Sequence, residues 1–145
     1  MTIEQKELTR EDLLAKQDLA IEKVEFEDGT YTFVKEMTGR ARDRWERSLM
    51  REITDDNGKV TDYERSMEDF RAKLACFTVC DSEGKLLFKP TDFGPLSENM
   101  GATRLERIVN KAQDINAISE KDKEKLVKNS EGGETANSIS DFAES

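Results

Sequence analysis

The feature that most constrains the fold is an alternating segment, residues 21–34, that turns on the dipeptide Asp28-Gly29. Asp-Gly accepts the positive φ angles of a tight β-hairpin turn, and apolar residues alternate with polar ones on both sides of it. A two-residue loop at this dipeptide places four apolar side chains on one face of the hairpin: Val24, Phe26, Tyr31 and Phe33. The other face is mainly polar, so we expect the hairpin to lay one side on helices.

Periodic apolar residues predict two helices after the hairpin. Thr38 has the position of an N-cap for a helix that reaches about Ile53. Its apolar stripe recurs at every fourth residue: Ala41, Trp45, Leu49 and Ile53. The capping-box sequence Thr-Asp-Tyr-Glu at residues 61–64 predicts a second helix that continues to about Val79. The stripe of that helix is Tyr63, Met67, Phe70, Leu74 and Phe77.

The stretch 76–88 is compatible with two structures, the end of the second helix or a strand paired with residues 85–88 through a turn. The periodicity favours the helix followed by a turn. Pro90 and Pro95 interrupt the next segment of the chain, with a single helical turn at Asp92-Phe93. A third helix is predicted from about residue 100 to residue 116, on the stripe Leu105, Ile108, Val109, Ala112 and Ile115.

Both ends of the chain carry shorter signals. Thr9 is placed as the N-cap of a short helix that reaches about Gln17. A second short helix is predicted over residues 119–128. From residue 129 onward the sequence is dominated by Gly, Ser, Glu, Asn and Thr, a composition that is typical of disorder.

Together these patterns predict a mainly α fold with a small β-hairpin. We expect an N-terminal segment with a short helix over residues 1–20 and a compact helical domain over residues 21–128, with the hairpin packed on the helices. A disordered tail would cover residues 129–145. The length of 145 residues suits one such domain.

Composition excludes several classes of function. The chain has 0 His, which removes histidine-dependent catalysis and histidine-ligated metals, and the 2 Cys are too few for a disulfide framework or a zinc site. We therefore expect no enzyme activity, no metal and no cofactor, and buried reduced thiols at Cys76 and Cys80. No apolar run is long enough to span a bilayer and the N-terminus lacks a signal-peptide pattern, so we expect a cytoplasmic protein without a membrane partner.

The net charge of −9 argues against nucleic acid as a partner. The alternative stays open because the predicted helix 39–53 carries five arginines, which a small nucleic-acid-binding regulatory protein could use: Arg40, Arg42, Arg44, Arg47 and Arg51. Acidic residues interrupt them, which is typical of a solvated face. The acidic loop at residues 54–59 resembles part of a calcium loop, but Ile53 would occupy its first ligand position, so we interpret the loop as a turn.

Three blocks of the chain resemble the tail assembly chaperones of long-tailed double-stranded DNA bacteriophages. The first, residues 31–46, leads from a strand into Glu-Met-Thr-Gly-Arg and a charged helix with an aromatic residue. The second, residues 70–88, leads from an apolar segment into Asp-x-x-Gly-Lys and then Leu-Phe. The third, residues 96–120, contains Leu-Ser-Glu-Asn, Leu-Glu-Arg-Ile and Asn-Ala-Ile-Ser-Glu. The chain departs from the family at Phe-Gly-Pro, residues 93–95, where a more regular acidic helix is usual.

The resemblance implies a binding protein for phage assembly rather than an enzyme. Chaperones of this family bind the aggregation-prone tape measure protein in the host cell cytoplasm, keep it soluble, help recruit tail tube protein and are absent from the mature tail. In many relatives a ribosomal frameshift adds a further domain, so a frameshifted longer form of the protein itself is an implied partner, and a homo-oligomer is compatible with the same role. A high negative charge suits this task because it keeps a complex with an apolar client soluble.

Four residues are candidates for a surface that binds a partner or a second copy. Met37 and Met50 lie off the main apolar stripe of the predicted helix, and Arg47 and Arg51 adjoin Met50 in the sequence. Methionine repacks easily against varied helices, and arginine can pair with acidic residues of a client. Trp45 lies on the stripe itself, and we interpret it as the anchor of the helix on the hairpin.

Overall fold

The computed structural model describes residues 3–118, and a three-stranded antiparallel sheet lies at one side of the folded part. Its strands are β1 (Ile21–Glu25), β2 (Tyr31–Lys35) and β5 (Val79–Cys80), in the spatial order β1-β2-β5. The first two strands are the predicted hairpin, which is therefore confirmed. The third strand directly follows a helix and lies within residues 76–88, where the sequence left a strand open as the alternative.

The register of the hairpin differs from the predicted one by one residue. Val24 lies opposite Thr32, whereas a two-residue loop placed it opposite Phe33. The loop has three residues, because the Phe26 N–H donates to the Thr30 carbonyl at 2.9 Å. Gly29, with φ of 86°, supplies the left-handed conformation that this longer loop needs.

A slip of one residue turns a strand over, so the apolar face is not the predicted one. Val24 and Val34 are buried against the helices, and Phe26 packs at the margin of the core. Tyr31 and Phe33 lie on the opposite face of the sheet, where 56% of Tyr31 is exposed. The prediction that one side of the hairpin covers helices is confirmed, but its aromatic side chains point away from them.

Four helices complete the core. They are α2 (Gly39–Ser48), α3 (Phe70–Thr78), α4 (Phe93–Asn99) and α5 (Ala102–Ile115). The central helix is α3, because it contacts α2, α4 and α5 and because all but two of its residues are buried. A short 3-10 turn, Pro90–Asp92, leads into α4, which is longer than the single helical turn predicted there. The fold class is thus the predicted one: helices with a small hairpin packed on them.

The predicted helix that begins at Thr38 is shorter than expected. The Thr38 hydroxyl accepts a hydrogen bond from the Ala41 N–H, as an N-cap should, and Trp45 and Leu49 are fully buried. However, α2 ends at Ser48, and Ile53 lies in a strand and is 37% exposed. The stripe therefore holds for its inner members and fails at its last one.

A second hairpin replaces the predicted helical continuation. Strand β3 (Met50–Thr54) pairs antiparallel with β4 (Val60–Arg65). The Asp55 carboxylate accepts hydrogen bonds from the N–H groups of Asn57 and Lys59, and Gly58 takes φ of 81°. These interactions close a tight turn, and the β-branched residues on either side of it favour strands.

The capping-box interpretation of residues 61–64 is wrong, because these residues lie within β4. Helix α3 begins at Phe70, and the N-terminal part of the predicted stripe does not belong to it: Tyr63 is 56% exposed. Phe70, Leu74 and Phe77 are buried as predicted. For residues 76–88 each alternative is correct in part: the helix ends at Thr78, as favoured, and the strand Val79–Cys80 pairs with Leu86 through a turn, as in the alternative.

Helix α5 confirms its predicted stripe, with Leu105, Ile108, Val109 and Ala112 buried. At its end the Ile118 N–H bonds to the carbonyl of Gln113, while Ala117 adopts φ of 55°, which is a Schellman cap. Near the N-terminus, helix α1 (Arg10–Leu14) has the predicted Thr9 cap but is shorter than predicted. The predicted helix 119–128 and the predicted tail 129–145 lie outside the described residues.

The two thiols are buried inside the core, as expected from the sequence. Burial raises the pKa of Cys76 to about 11 and also raises the pKa of Cys80. We therefore expect neither thiol to react with a thiol-specific reagent at pH 8 until the protein is unfolded, when both should react. The thiols have a lower pKa in the unfolded chain than in the folded one, so they lose their protons first in the unfolded chain. The free energy of unfolding should therefore fall as the pH rises above about 9. Rapid labelling of the folded protein would contradict the assigned burial.

Candidate partner-binding surface

The second hairpin, β3–β4, extends from the body of the molecule. Its two strands pair only with each other among the described strands, and every residue from 50 to 63 is exposed. The hairpin is attached at its base, where the Ser66 N–H donates to the Leu49 carbonyl at 2.6 Å and Lys73 Nζ donates to the Ser48 carbonyl at 2.9 Å. A two-stranded hairpin is only marginally stable without further packing. Because this hairpin is exposed along its length, its apolar side chains are not used in packing.

One face of the hairpin carries most of that surface. Met50 lies opposite Arg65, Glu52 opposite Tyr63 and Thr54 opposite Val60, and alternate residues of β3 share a face. The apolar members of this face form what we call the hairpin patch: Met50, Val60 and Tyr63. Their exposed fractions are 39%, 38% and 56%, respectively. A patch of this kind on an extended element is typical of a protein-binding surface.

The opposite face of the hairpin is charged. Arg51 pairs with Glu64 across the two strands, and the hydrogen bond that it donates to this carboxylate is the main cause that raises the pKa of Arg51. Ile53 lies opposite Asp62 on the same face. The ion pair connects the two strands on this face, whereas the face with the hairpin patch carries Glu52, opposite Tyr63, and Arg65, opposite Met50.

Three of the four predicted site residues lie close together in the chain but not on one face, because Met50 belongs to the hairpin patch whereas Arg51 lies on the opposite face and pairs with Glu64. Arg47 lies exposed in the last turn of α2, and Met50 and Arg51 begin β3 only a few residues further along the chain. Met37 does not belong to this surface. It is 7% exposed, and its N–H donates to Asn116 Oδ1 at 2.7 Å, where the β2–α2 connection crosses the end of α5. The prediction that Met37 lies outside the core is wrong, because its position was judged only against the stripe of α2.

Sequence reasoning missed Val60 and Tyr63 as surface residues, because both were placed around a helix start. The signals that could have placed them are the Asp-Asn-Gly turn and the β-branched residues at positions 53, 54, 60 and 61.

The five arginines between positions 40 and 51 do not form one continuous cationic surface. Arg42 donates to the main-chain carbonyl of Asn116 at 3.0 Å and pairs with Glu46, and Arg51 pairs with Glu64. Asp43 lies among the remaining exposed arginines of the helix. Such a distribution suits an exposed face with contacts of both signs better than a track for phosphates.

Over residues 3–118, no cluster of three or more potential metal ligands is present. Within the same part of the chain, none of the helices combines the length and the apolar character that crossing a bilayer requires. The Asp55 carboxylate of the loop considered for calcium is used in the turn itself.

Comparison with known proteins gives a likeness in fold. The chain is similar to the structure of the bacteriophage HK97 tail assembly chaperone, with a TM-score of 0.48 and 17% sequence identity, over 71% of this chain and 88% of that chain. No protein-family model matches the sequence, and no curated protein matches it.

Proposed function

We propose that this chain is a tail assembly chaperone of a long-tailed bacteriophage, which binds the tape measure protein through the hairpin patch and keeps it soluble in the host cell cytoplasm. The observation that carries the proposal is the extended β3–β4 hairpin with its exposed apolar face. The resemblance of three sequence blocks to the chaperone family supplies the identity of the client. In this role the protein acts by binding and has no catalytic step.

The hairpin patch suits a helical client for chemical reasons. Met50 can adapt to differently shaped apolar side chains, and Tyr63 offers a large ring with a polar tip. Arg47, at the end of α2, is placed near the base of β3 to pair with acidic residues of the client. The net charge of −9 keeps the complex soluble, because complexes of the same charge repel one another.

The remaining parts of the proposal rest on the family resemblance. The protein would help to recruit tail tube protein, possess a frameshifted longer form, and leave before the tail matures. Each of these steps needs a surface other than the hairpin patch, because the patch is occupied by the client in this proposal.

The test is co-expression with the tape measure protein, with a surface variant and a matched control. Tyr63→Glu places a carboxylate in the patch, and Leu87→Glu makes the same change at a distant site of nearly equal exposure, 56% against 55%. We expect Tyr63→Glu to weaken client binding at least about tenfold, because a charge in an apolar contact is costly to desolvate. Leu87→Glu should bind as the wild type does. Both variants should melt as the wild type does, since exposed substitutions change stability by about 0.5 kcal/mol or less.

A second double variant, Met50→Glu with Arg47→Glu, tests the residues proposed from sequence. Lost co-purification with an unchanged melting temperature would support the surface, whereas intact client binding would remove it from the mechanism. The nucleic-acid alternative is tested by gel retardation at several salt concentrations. A regulator would retard DNA or RNA strongly at low salt, and we expect no retardation.

A further inference from the structure

Two other apolar surfaces of the described chain are exposed, and they differ from the hairpin patch. One is the N-terminal arm, which we define as residues 3–18. The other is the outer face of the three-stranded sheet, which we call the sheet face and define by four apolar residues and two lysines. These residues are Ile21, Tyr31, Phe33, Leu86, Lys23 and Lys35.

The N-terminal arm contains a capped helix but does not pack on the rest of its own chain. Every residue from Ile3 to Asp18 is exposed, including Leu8 at 53% and Leu13 and Leu14 at 67% each. Helix α1 in this arm nevertheless has a complete capping box between Thr9 and Asp12. A helix of five residues is marginal in water, so it needs an external surface to become stable.

The sheet face is a suitable surface of this kind. Lys23 lies opposite Phe33, Phe33 opposite Cys80, and Cys80 is bridged to Leu86. Residues directly opposite one another share a face, so these residues lie on the side away from α3 and α5, where Cys80 is covered by its neighbours at 1% exposure. Tyr31 packs edge to face on Phe33, with ring centroids 5.7 Å apart. Tyr31, Leu86 and Ile21 are exposed at 56%, 41% and 37%, respectively.

Charge favours the same match. The sheet face carries Lys23, whose Nζ lies 4.2 Å from the Tyr31 ring centroid and 3.9 Å from Oε1 of Glu25 on the same face, and Lys35, whose Nζ donates to the Gly84 carbonyl. The arm carries more acidic than basic residues, with acids at positions 4, 7, 11, 12 and 18. An acidic segment with leucines fits an apolar face bordered by lysines.

We propose that the N-terminal arm of one copy docks on the sheet face of a second copy of this chain. The arm is exposed on its own domain, so the complementary surface is supplied by the neighbour. Reciprocal docking around a two-fold axis uses both arms and both sheet faces, which closes the assembly as a dimer. The hairpin patch takes no part in this contact, so the inference does not depend on the proposed function.

The first test is sedimentation equilibrium of the full chain and three double or single variants. The arm variant is Leu13→Glu with Leu14→Glu, the face variant is Tyr31→Glu with Leu86→Glu, and Tyr63→Glu is the control. We expect the wild type and Tyr63→Glu to form dimers with the same dissociation constant. We expect the arm variant and the face variant to be monomeric at concentrations at least tenfold above that constant, with unchanged melting temperatures.

Mixing gives a sharper test, because each defective variant retains the surface that the other has lost. The arm variant and the face variant together should form a heterodimer through one intact contact. A monomeric wild type, a dimeric arm variant or the absence of a heterodimer would each overturn the proposal.

The contact itself is tested by cysteines on two separate chains, Leu13→Cys in one and Tyr31→Cys in the other. Oxidation of the mixture should give a disulfide-linked dimer of the two chains. If a single chain with both substitutions instead cross-links within itself while monomeric, the arm docks on its own sheet and the proposed exchange between copies is wrong. Failed folding of any variant is detected by its melt, and Leu8→Glu then serves as a second arm variant.

Discussion

Replacing Phe70 by alanine is expected to lower the free energy of unfolding by about 3–5 kcal/mol. Phe70 begins the central helix α3, is 5% exposed and packs edge to face on Trp45 with ring centroids 5.7 Å apart. Trp45 is itself fully buried, so the lost ring leaves a cavity between α2 and α3. Domains of this size have total stabilities of about 5–15 kcal/mol, so the loss would be visible as a large shift in the urea midpoint.

Leu87→Ala is the control for this prediction, because Leu87 is 55% exposed and its truncation should cost about 0.5 kcal/mol or less. If Phe70→Ala unfolded at the same urea concentration as the wild type, α3 would not be the centre of the core. The stripe would then have to face a partner.

Replacing Asn116 by alanine is expected to cost about 2–4 kcal/mol, because the buried Met37 N–H and the partly buried Lys35 carbonyl lose the side chain that they bond to. Asn116 is 9% exposed; its Oδ1 accepts from the Met37 N–H at 2.7 Å, and its Nδ2 donates to the Lys35 and Ala112 carbonyls at 3.3 and 2.9 Å. The Asn116 side chain thus connects the end of β2, the β2–α2 connection and the end of α5. Denaturant titration followed by circular dichroism measures the loss.

Asn110→Ala is the matched control, because Asn110 lies exposed on the same helix. It should unfold with the wild type. Equal stability of both asparagine variants would show that the Met37 N–H and the Lys35 carbonyl find other partners.

The parts of the fold that could be predicted are those with two agreeing signals. Thr38 combines a capping side chain with an apolar stripe behind it, and α5 combines a long stripe with polar flanks. The first hairpin combines alternation with Asp-Gly, although Asp-Gly serves both two-residue and three-residue loops. Only the loop length fixed which face of β2 meets the core, and alternation alone could not supply it.

The second hairpin could not be predicted, because its residues satisfy a false pattern. Ile53 continues the four-residue spacing of Trp45 and Leu49, and the sequence at 61–64 has the form of a capping box. Residues 50–65 therefore satisfy the sequence rules for a helix as well as those for strands. The tight turn at Asp55 and Gly58 stabilises the strands.

The candidate site was found only in part for the same reason. Met50 is a candidate because it lies off a stripe and Arg51 because it adjoins Met50, and both lie on the exposed hairpin, whereas Met37 also lies off that stripe and is buried. A helical wheel describes the surroundings of residues within one helix. Met37 lies in a connection, where tertiary contacts with α5 determine burial.

Because β3–β4 is attached to the body of the molecule only at its base, selection for stability and selection for partner binding act on different residues. Substitutions at positions 50–63 remove little packing from the core, so most should change the free energy of unfolding by about 0.5 kcal/mol or less. A mutation in α3, by contrast, affects every neighbouring helix. If the hairpin binds a client as proposed, its sequence can diverge to follow that client, whereas substitutions in α3 and in the residues packed around it disturb the fold.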